Sequence, residues 1–92
     1  METLKNKVVV VFAASGEIAG AVARSFAQHG AKVYVTGRNL TAVKALADRI
    51  KADGGLAEAG KVDALNETEI EPYLQKVVAD NRKLDVIFNG IG

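Results

Sequence analysis

Short apolar runs alternate along the chain with stretches in which apolar and polar residues are mixed. Val8–Phe12 is an unbroken apolar run that contains four valines, which is typical of a strand buried on both faces in a parallel sheet. Lys32–Thr36 and Leu84–Phe88 predict two further strands, and Ala57–Val62 predicts another despite its weaker β propensity.

The mixed stretches between these strands have the apolar spacing of helices that cover a sheet. In the first of them Ile18, Val22 and Phe26 fall on one stripe, and small residues beside them allow close approach to the sheet. The predicted helices are Ala19–His29, a second from a Thr41 cap to Ala52, and a third from an Asn66 cap to about Asn81.

Residues near the helix ends carry their own signals. Gly30 follows the first helix as a left-handed C′ residue, and we expect His29 to contact the last carbonyls of that helix. Asn66 with Glu69 resembles a capping box. Pro72 lies several residues into the third helix and predicts a kink or a late helix start there.

This alternation of strands and helices predicts an α/β fold with a parallel sheet. Right-handed crossovers and a reversal after the third strand predict the strand order 3-2-1-4, with three helices, which is half of a Rossmann-like three-layer fold. A flavodoxin-like or other doubly wound domain is the alternative. The absence of an aspartate at the end of the first strand argues against a receiver domain.

Composition narrows the possible functions. The chain has 92 residues, 49% of them hydrophobic and 25% charged, with a net charge of +1. This balance is ordinary for a single small globular domain and gives no electrostatic reason to expect nucleic acid or an anionic membrane as a partner. With no cysteine and one histidine, we expect no disulfide, no metal site and no thiol nucleophile.

The N-terminal region has some features of a signal peptide. Lys5 and Lys7 precede the apolar segment Val8–Ala14, but this segment is short for a signal peptide and Glu17 follows soon after. No segment is long enough to span a bilayer. We therefore expect a cytoplasmic protein.

The residues that could bind a ligand are predicted to lie at one edge of the sheet. In open α/β sheets, ligands bind beyond the carboxyl ends of the strands, where the strand order reverses. Four segments are predicted to meet there: Ala13–Ala19, Gly37–Arg38, Asp63–Ala64 and 89–92.

The turn after the first strand reads AASGEIA. A phosphate-binding turn needs a sharp bend, one close approach of backbone to phosphate, and tight helix packing. Gly16 suits the close approach and Ala19 the packing, whereas Ala13 serves only if its φ is negative. We expect Glu17 to point to solvent, away from the phosphate. The predicted cofactor residues of this turn are Ala13, Ser15, Gly16, Glu17 and Ile18, and the alternative is a tight turn without a ligand.

The end of the second strand indicates the type of dinucleotide. An acidic residue there would hold the ribose 2′-hydroxyl of NAD, whereas NADP needs a cation for its 2′-phosphate. The sequence has Arg38 and no acid at this place, so NADP is predicted over NAD. A surface arginine without a ligand is the alternative.

Two further segments complete the predicted site. Asp63 follows the third strand, where its carboxylate could meet the adenine amino group or could instead favour the start of the third helix. Ala64 lies beside it. After the fourth strand, Asn89 and Gly90 are predicted to place backbone under the nucleotide, or they belong to an ordinary loop.

These residues resemble the short-chain dehydrogenase/reductase family over essentially the whole chain. Ala13, Gly16 and Ala19 match the glycine positions of its T-G-x-x-G-x-x-G turn; in the other form of that turn, Glu17 would replace a glycine. Asn89 and Gly92 match the N-N-A-G motif after strand four, from which Gly90 departs. The resemblance implies a dinucleotide as partner, with Asp63 near adenine and Arg38 typical of NADP-preferring members.

The same resemblance implies that this chain lacks the family's catalytic groups. Members reduce carbonyls or oxidise alcohols with a Ser and a Tyr-x-x-x-Lys pair beyond strand four, and neither Tyr34 nor Tyr73 has a lysine four residues later. No catalytic residue is therefore predicted. We interpret residues 1–92 as one truncated domain, the cofactor-binding half of an NADP(H)-dependent oxidoreductase.

The competing hypothesis is a half-Rossmann module that binds nucleotide or associates with itself and catalyses no reaction. The fourth strand contains Val86-Ile87-Phe88 and would present an apolar edge if no further strand covers it. This predicts a homo-oligomer that forms through the edge of strand four.

Overall fold

A computed structural model of the chain describes residues 3–91. Strands and helices alternate in it as expected from the sequence. The elements are β1 (Val8–Phe12), α1 (Glu17–Gln28), β2 (Lys32–Gly37), α2 (Leu40–Ala52), β3 (Leu56–Lys61), α3 (Glu67–Asn81) and β4 (Val86–Asn89).

The four strands form one sheet in the order β3-β2-β1-β4, and every pair of neighbours is parallel. The predicted fold class and strand order are confirmed. β1 lies in the interior of the sheet, where Val9 pairs with Val33 of β2 and with Val86 of β4. All five β1 residues are buried, because helices cover both faces of the sheet at this strand.

The two faces of the sheet are covered differently. Helices α1 and α2 pack on one face against Val9 and Val11 of β1, and we call it the α1/α2 face. Helix α3 alone packs on the other, against Val8, Val10 and Phe12, and we call it the α3 face. Alternate residues of β1 therefore belong to different cores, as the pleat of a strand requires.

Helix α1 differs from its prediction in its start and in its buried stripe. It begins at Glu17, two residues before the predicted Ala19, with Gly16 as N-cap. Its buried residues are Ala19, Ala23 and Ala27, whereas Ile18 is 79% exposed. The alanines let the helix lie so close to the sheet that larger side chains remain at its flanks.

The end of α1 follows the sequence signals. Gly30 has φ +98°, and the hydrogen bonds from Gly30 N to Ala27 O and from Ala31 N to Phe26 O form a Schellman motif. The predicted contact of His29 with the helix is also present, because Nδ1 lies 2.7 Å from the carbonyl oxygen of Ser25.

The caps of α2 and α3 are both asparagines. The predicted Thr41 cap is wrong, since Asn39 is the N-cap and its side-chain oxygen accepts a hydrogen bond from Ala42 N at 3.2 Å. The predicted Asn66 cap is confirmed: its side chain accepts from Thr68 N at 3.0 Å. The predicted capping box is not formed, because Glu69 accepts from the Asn66 side-chain amide at 3.0 Å while the Asn66 backbone N–H donates to Asp63 O at 2.9 Å.

Pro72 lies inside α3 and does not delay its start, which is at Glu67. The missing N–H of Pro72 would have bonded the carbonyl of Thr68. Both residues are exposed, so water can satisfy that carbonyl. Of the two alternatives predicted at Pro72, the late helix start is wrong and the kink stays a prediction.

β4 begins two residues later than predicted. Before it, Asp85 N donates to Val8 O at 2.9 Å, and the Asp85 carboxylate accepts from Val8 N at 2.8 Å. A side chain thus takes the place of a ladder hydrogen bond at this edge. The Val8 N–H, assisted by Lys83 at 3.2 Å, lowers the pKa of the Asp85 carboxyl.

Candidate nucleotide site

The carboxyl ends of the strands meet around a groove of about 330 Å³. All four strand-end segments contribute to its lining, as their predicted placement required. The lining residues are Ala13, Ser15, Gly37, Arg38, Asn39, Val62, Asp63, Ala64, Leu65 and Ile91. Five of the predicted site residues are among them: Ala13, Ser15, Arg38, Asp63 and Ala64. The other five do not line it: Gly16 is the N-cap of α1, Glu17 and Ile18 are the first residues of that helix, Asn89 ends β4 and Gly90 follows it.

Ala13 has a left-handed backbone, with φ +55°, so the condition of a negative φ, on which its suitability for the phosphate-binding turn depended, is not met. The conformation is imposed by the turn, in which Ala14 N donates to Thr36 O at 2.8 Å and Gly16 N to Ala13 O at 3.3 Å. A residue with a Cβ pays about 1–2 kcal/mol for this conformation. Ala13 is therefore strained at a place where glycine would not be.

Gly16 is extended, with φ −70° and ψ 154°, a conformation that any residue adopts. A Cβ built on Gly16 would meet no atom closer than Ala13 O at 3.6 Å. The fold itself therefore does not require glycine here. The absence of a side chain leaves open space at the N-terminus of α1, where a ligand could approach the backbone.

The first amides of α1 have no acceptor within the helix. The first helical hydrogen bond runs from Gly20 N to Gly16 O at 2.8 Å, so the N–H groups of Glu17, Ile18 and Ala19 precede it. Gly16 provides no side-chain cap. The Glu17 side chain is exposed, as expected. Free amides and the positive end of the helix dipole together favour an anion at this position.

The end of β2 brings a cation to the groove. Arg38 is exposed and, within residues 3–91, no carboxylate lies within ion-pair distance of it. Gly37 before it is buried, and a Cβ there would lie 3.1 Å from Val43 and 3.6 Å from Ser15 Oγ. The missing side chain thus lets the β1–α1 turn lie directly against the end of β2.

Asp63 lines the groove and also shapes the turn into α3. One carboxylate oxygen accepts a hydrogen bond from Leu65 N at 3.0 Å, and Asp63 N donates to the Glu69 carboxylate at 3.1 Å. The Asp63 side chain therefore stabilises the turn that leads into α3. Its position in the groove leaves the adenine interaction open as a second role.

The segment after β4 packs against the start of α1. Gly90 N donates to Phe12 O at 2.9 Å, and the Asn89 side chain accepts from Ile91 N at 3.0 Å. A Cβ on Gly90 would lie 2.5 Å from the Cβ of Ala19. Packing therefore excludes a side chain at position 90. Gly92, matched to the family motif above, lies outside the described residues.

Five residues that line the groove are not among the predicted site residues: Gly37, Asn39, Val62, Leu65 and Ile91. Leu65 is 74% exposed and Ile91 is 42% exposed. Neither carried a clear signal in the sequence, because single exposed apolar residues are common on protein surfaces. They give the groove apolar surface suited to an aromatic base, beside the polar groups of Ser15 and Arg38.

Comparison with known proteins identifies the family. The sequence profile described as short chain dehydrogenase matches residues 7–92. The chain belongs to the short-chain dehydrogenase family.

Relatives and solved structures agree with this assignment. UxuB of Bacillus subtilis (strain 168), named an uncharacterized oxidoreductase, is 32% identical over 91 residues, which are 99% of this chain and 33% of UxuB. A metagenomic short-chain oxidoreductase in complex with NADP is 33% identical with a TM-score of 0.87, over 91% of this chain and 38% of that one. NAD+-bound xylitol dehydrogenase is 27% identical with a TM-score of 0.90, over 98% of this chain and 35% of that one.

These matches define how much of the family architecture is present. The chain spans about a third of the length of the curated relatives it matches. The similar structures include one in complex with NADP and one with NAD+, so membership of the family does not by itself select the dinucleotide. Among residues 3–91, no helix is both long and apolar enough to cross a membrane.

Proposed function

We propose that this chain is the NADP(H)-binding portion of a short-chain oxidoreductase. The observation that carries the proposal is the position of Arg38, a cation without an ion-pair partner in the described residues, in a groove that also contains Ser15 of the β1–α1 turn. Guanidinium groups bind phosphate through a planar fork of donors. No acidic residue stands at the end of β2 to hold a ribose 2′-hydroxyl.

Each predicted residue has a place in this arrangement. The pyrophosphate would lie at the N-terminus of α1, near Ser15, Gly16 and the amides of Glu17 and Ile18, with Ala13 lining the groove beside them. Arg38 would bind the 2′-phosphate. Adenine would lie against Asp63 and Ala64, and the backbone at Asn89 and Gly90 would support the nucleotide from the side of β4.

The bound cofactor would supply hydride transfer, the chemistry of the family. The residues of this chain hold and orient the dinucleotide, and we propose that they do not transfer hydride alone. The two tyrosines pack with α3 on the other face of the sheet, where the Tyr34 hydroxyl accepts a hydrogen bond from Asn81 at 2.7 Å and burial raises the pKa of Tyr73 far above its usual value. Neither tyrosine lines the groove.

Calorimetry with NADP(H) and NAD(H) tests this proposal. Arg38→Ala should weaken NADP(H) binding by about tenfold or more, because a charged hydrogen bond contributes about 1.5–3 kcal/mol. NAD(H) binding should change little. Arg49→Ala, which removes an exposed arginine of α2 outside the groove, is the matched control. Equal losses for the two cofactors would refute the specificity, and no binding at millimolar concentration would refute the nucleotide site.

A second candidate function is self-association through β4. In the described part of the chain β4 pairs with β1 only, and Ile87 on this strand is 52% exposed. An unpaired apolar edge favours pairing with another strand, so we propose a homo-oligomer. A monomer by light scattering at high protein concentration would count against it. The cytoplasmic location expected from the sequence remains a prediction.

A further inference from the structure

Helix α3 has an apolar stripe that the described part of the chain leaves partly uncovered. Ile70, Leu74 and Val78 follow one another at intervals of four residues, so they lie along one side of the helix. Ile70 and Leu74 are half-buried against the core of the α3 face, whereas Val78 is 42% exposed. The three line a groove of about 700 Å³ formed by residues of α3, which we call the α3 groove. It shares no residue with the nucleotide groove.

Charges of opposite sign stand at the two ends of the α3 groove. Glu67 and Glu71 line it in the N-terminal half of the helix. Arg82 lies four residues beyond Val78 as the C-cap, is exposed, and continues the helical hydrogen bonding by donating its N–H to Val78 O. Within residues 3–91 neither the glutamates nor Arg82 form an ion pair. The groove is therefore acidic at one end, apolar in the middle and basic at the other end.

We propose that the α3 groove is the contact surface of a homodimer, in which α3 of a second copy of this chain lies antiparallel to it. A twofold axis between Leu74 and Gln75 sets the apolar stripes against each other and brings Glu67 of each copy to Arg82 of the other. A parallel arrangement would place like charges side by side, which is unfavourable. The surface is thus complementary to itself in one orientation only.

This contact is independent of the proposed nucleotide-binding function and differs from association through β4, because it joins helices rather than unpaired strand edges. Two single helices bury less area than a standard protein interface, so we expect a weak dimer. Sedimentation equilibrium of the unmodified chain between about 1 µM and about 1 mM should show a reversible monomer–dimer equilibrium.

Val78→Asp tests the apolar part of the α3 groove. It places a charge in the centre of the contact and should weaken dimerisation about tenfold or more. Leu40→Asp is the matched control, because Leu40 is 41% exposed at the start of α2 and lines neither groove. It should dimerise as the unmodified chain does. Thermal unfolding of each variant checks that the fold is retained.

A charge exchange tests the orientation of the two helices. Glu67→Arg should weaken dimerisation about threefold or more, because cations then face each other at both ends of the contact. Adding Arg82→Glu to the same chain should restore dimerisation to within about twofold of the unmodified chain. Both substitutions oppose the dipole of α3, so this recovery cannot come from a more stable helix.

Three results would overturn the proposal. The first is a monomer at every concentration. The second is a dimer that is weakened by Ile87→Asp on β4 but not by Val78→Asp, which would assign the contact to the strand edge. The third is a dimer that the charge exchange does not restore, since the antiparallel pairing of Glu67 with Arg82 requires that recovery.

Discussion

The α1/α2 face and the α3 face of the same sheet are closed by different kinds of packing. On the α1/α2 face, alanines of α1 and small residues of the loops bring backbone close to backbone. On the α3 face, one helix covers the sheet with two tyrosines, Tyr34 and Tyr73, whose rings meet edge to face at 6.4 Å. The first kind of contact has few side-chain torsions through which it can relax, whereas the second has several.

Polar groups show the same contrast. On the α3 face Asn81 donates to the Tyr34 hydroxyl at 2.7 Å and to Val77 O at 2.8 Å, which ties the end of α3 to β2. Within residues 3–91, no side-chain hydrogen bond ties α1 or α2 to the sheet; those of these helices run within α1 and at the N-cap of α2. Exposed apolar residues occur on the helices of both faces, since Ile18 of α1 is 79% exposed and Val78 of α3 is 42% exposed. The nucleotide groove borders both faces, because it is lined by residues of the β1–α1 turn and also by Val62 and Ala64 of the α3 face.

The largest expected difference is between two glycine-to-alanine substitutions, one at each face of the sheet. Gly90→Ala should lower the free energy of unfolding by about 2–3 kcal/mol, because the new Cβ would meet Ala19 and backbone atoms that cannot move aside. Gly60→Ala, whose obstacle is the Tyr73 side chain at 2.7 Å, should cost less than about 1 kcal/mol, since that ring can turn away. Urea denaturation at one protein concentration measures both.

A double-mutant cycle identifies the obstacle. Ala19→Gly in the Gly90→Ala background should recover part of the lost stability, because it removes the Cβ that lies 2.5 Å away. Strict additivity of the two substitutions, or equal costs of Gly90→Ala and Gly60→Ala, would contradict the contrast between the faces.

A smaller loss of stability is expected from removing the hydrogen bond between Asn81 and Tyr34 on the α3 face. Tyr34→Phe removes the acceptor of Asn81 in a fully buried place and should cost about 1 kcal/mol. Tyr73→Phe is the control, because no hydrogen bond to its hydroxyl is present among the described residues and the ring is only partly buried; its cost should be less than about 0.5 kcal/mol. Indistinguishable denaturation curves for the two variants would mean that the Asn81–Tyr34 hydrogen bond contributes little to the free energy of unfolding.

The smallest effect is a gain in stability when the strain of the left-handed residue Ala13 is removed. Ala13→Gly should raise the free energy of unfolding by about 0.5–1 kcal/mol, the relief of strain being partly offset by the greater freedom of glycine in the unfolded chain. Arg82→Gly offers a comparison at the end of α3, where φ is +62°. A loss of stability in Ala13→Gly would show that the turn is not strained by its Cβ.

Much of the fold could be predicted because it depends on local pattern. The valine run of β1, Gly30 after α1 and the Asn66 cap each carry a strong short-range signal. A prediction was wrong where two nearby polar residues could each cap the same helix. Asn39 rather than Thr41 caps α2, because side-chain position relative to the first amides decides the cap.

The buried stripe of α1 was misjudged for a related reason. Ile18 and Phe26 are the larger apolar residues, yet the alanines of this helix face the sheet. Hydrophobicity alone favours the larger side chains, whereas the distance between helix and strand, set by the tight β1–α1 turn, admits only small ones. That distance is a tertiary quantity which periodicity does not contain.

The sequence by itself determined the alternation of strands and helices, the parallel sheet and the meeting of four segments at one edge, because these depend on patterning and on topology rules that hold for any such chain. Only the tertiary structure decided the left-handed backbone of Ala13, the exclusion of a side chain at Gly90, and the presence of Leu65 in the groove. Each of these depends on which atoms from distant segments become neighbours, and chain order alone does not specify those distances.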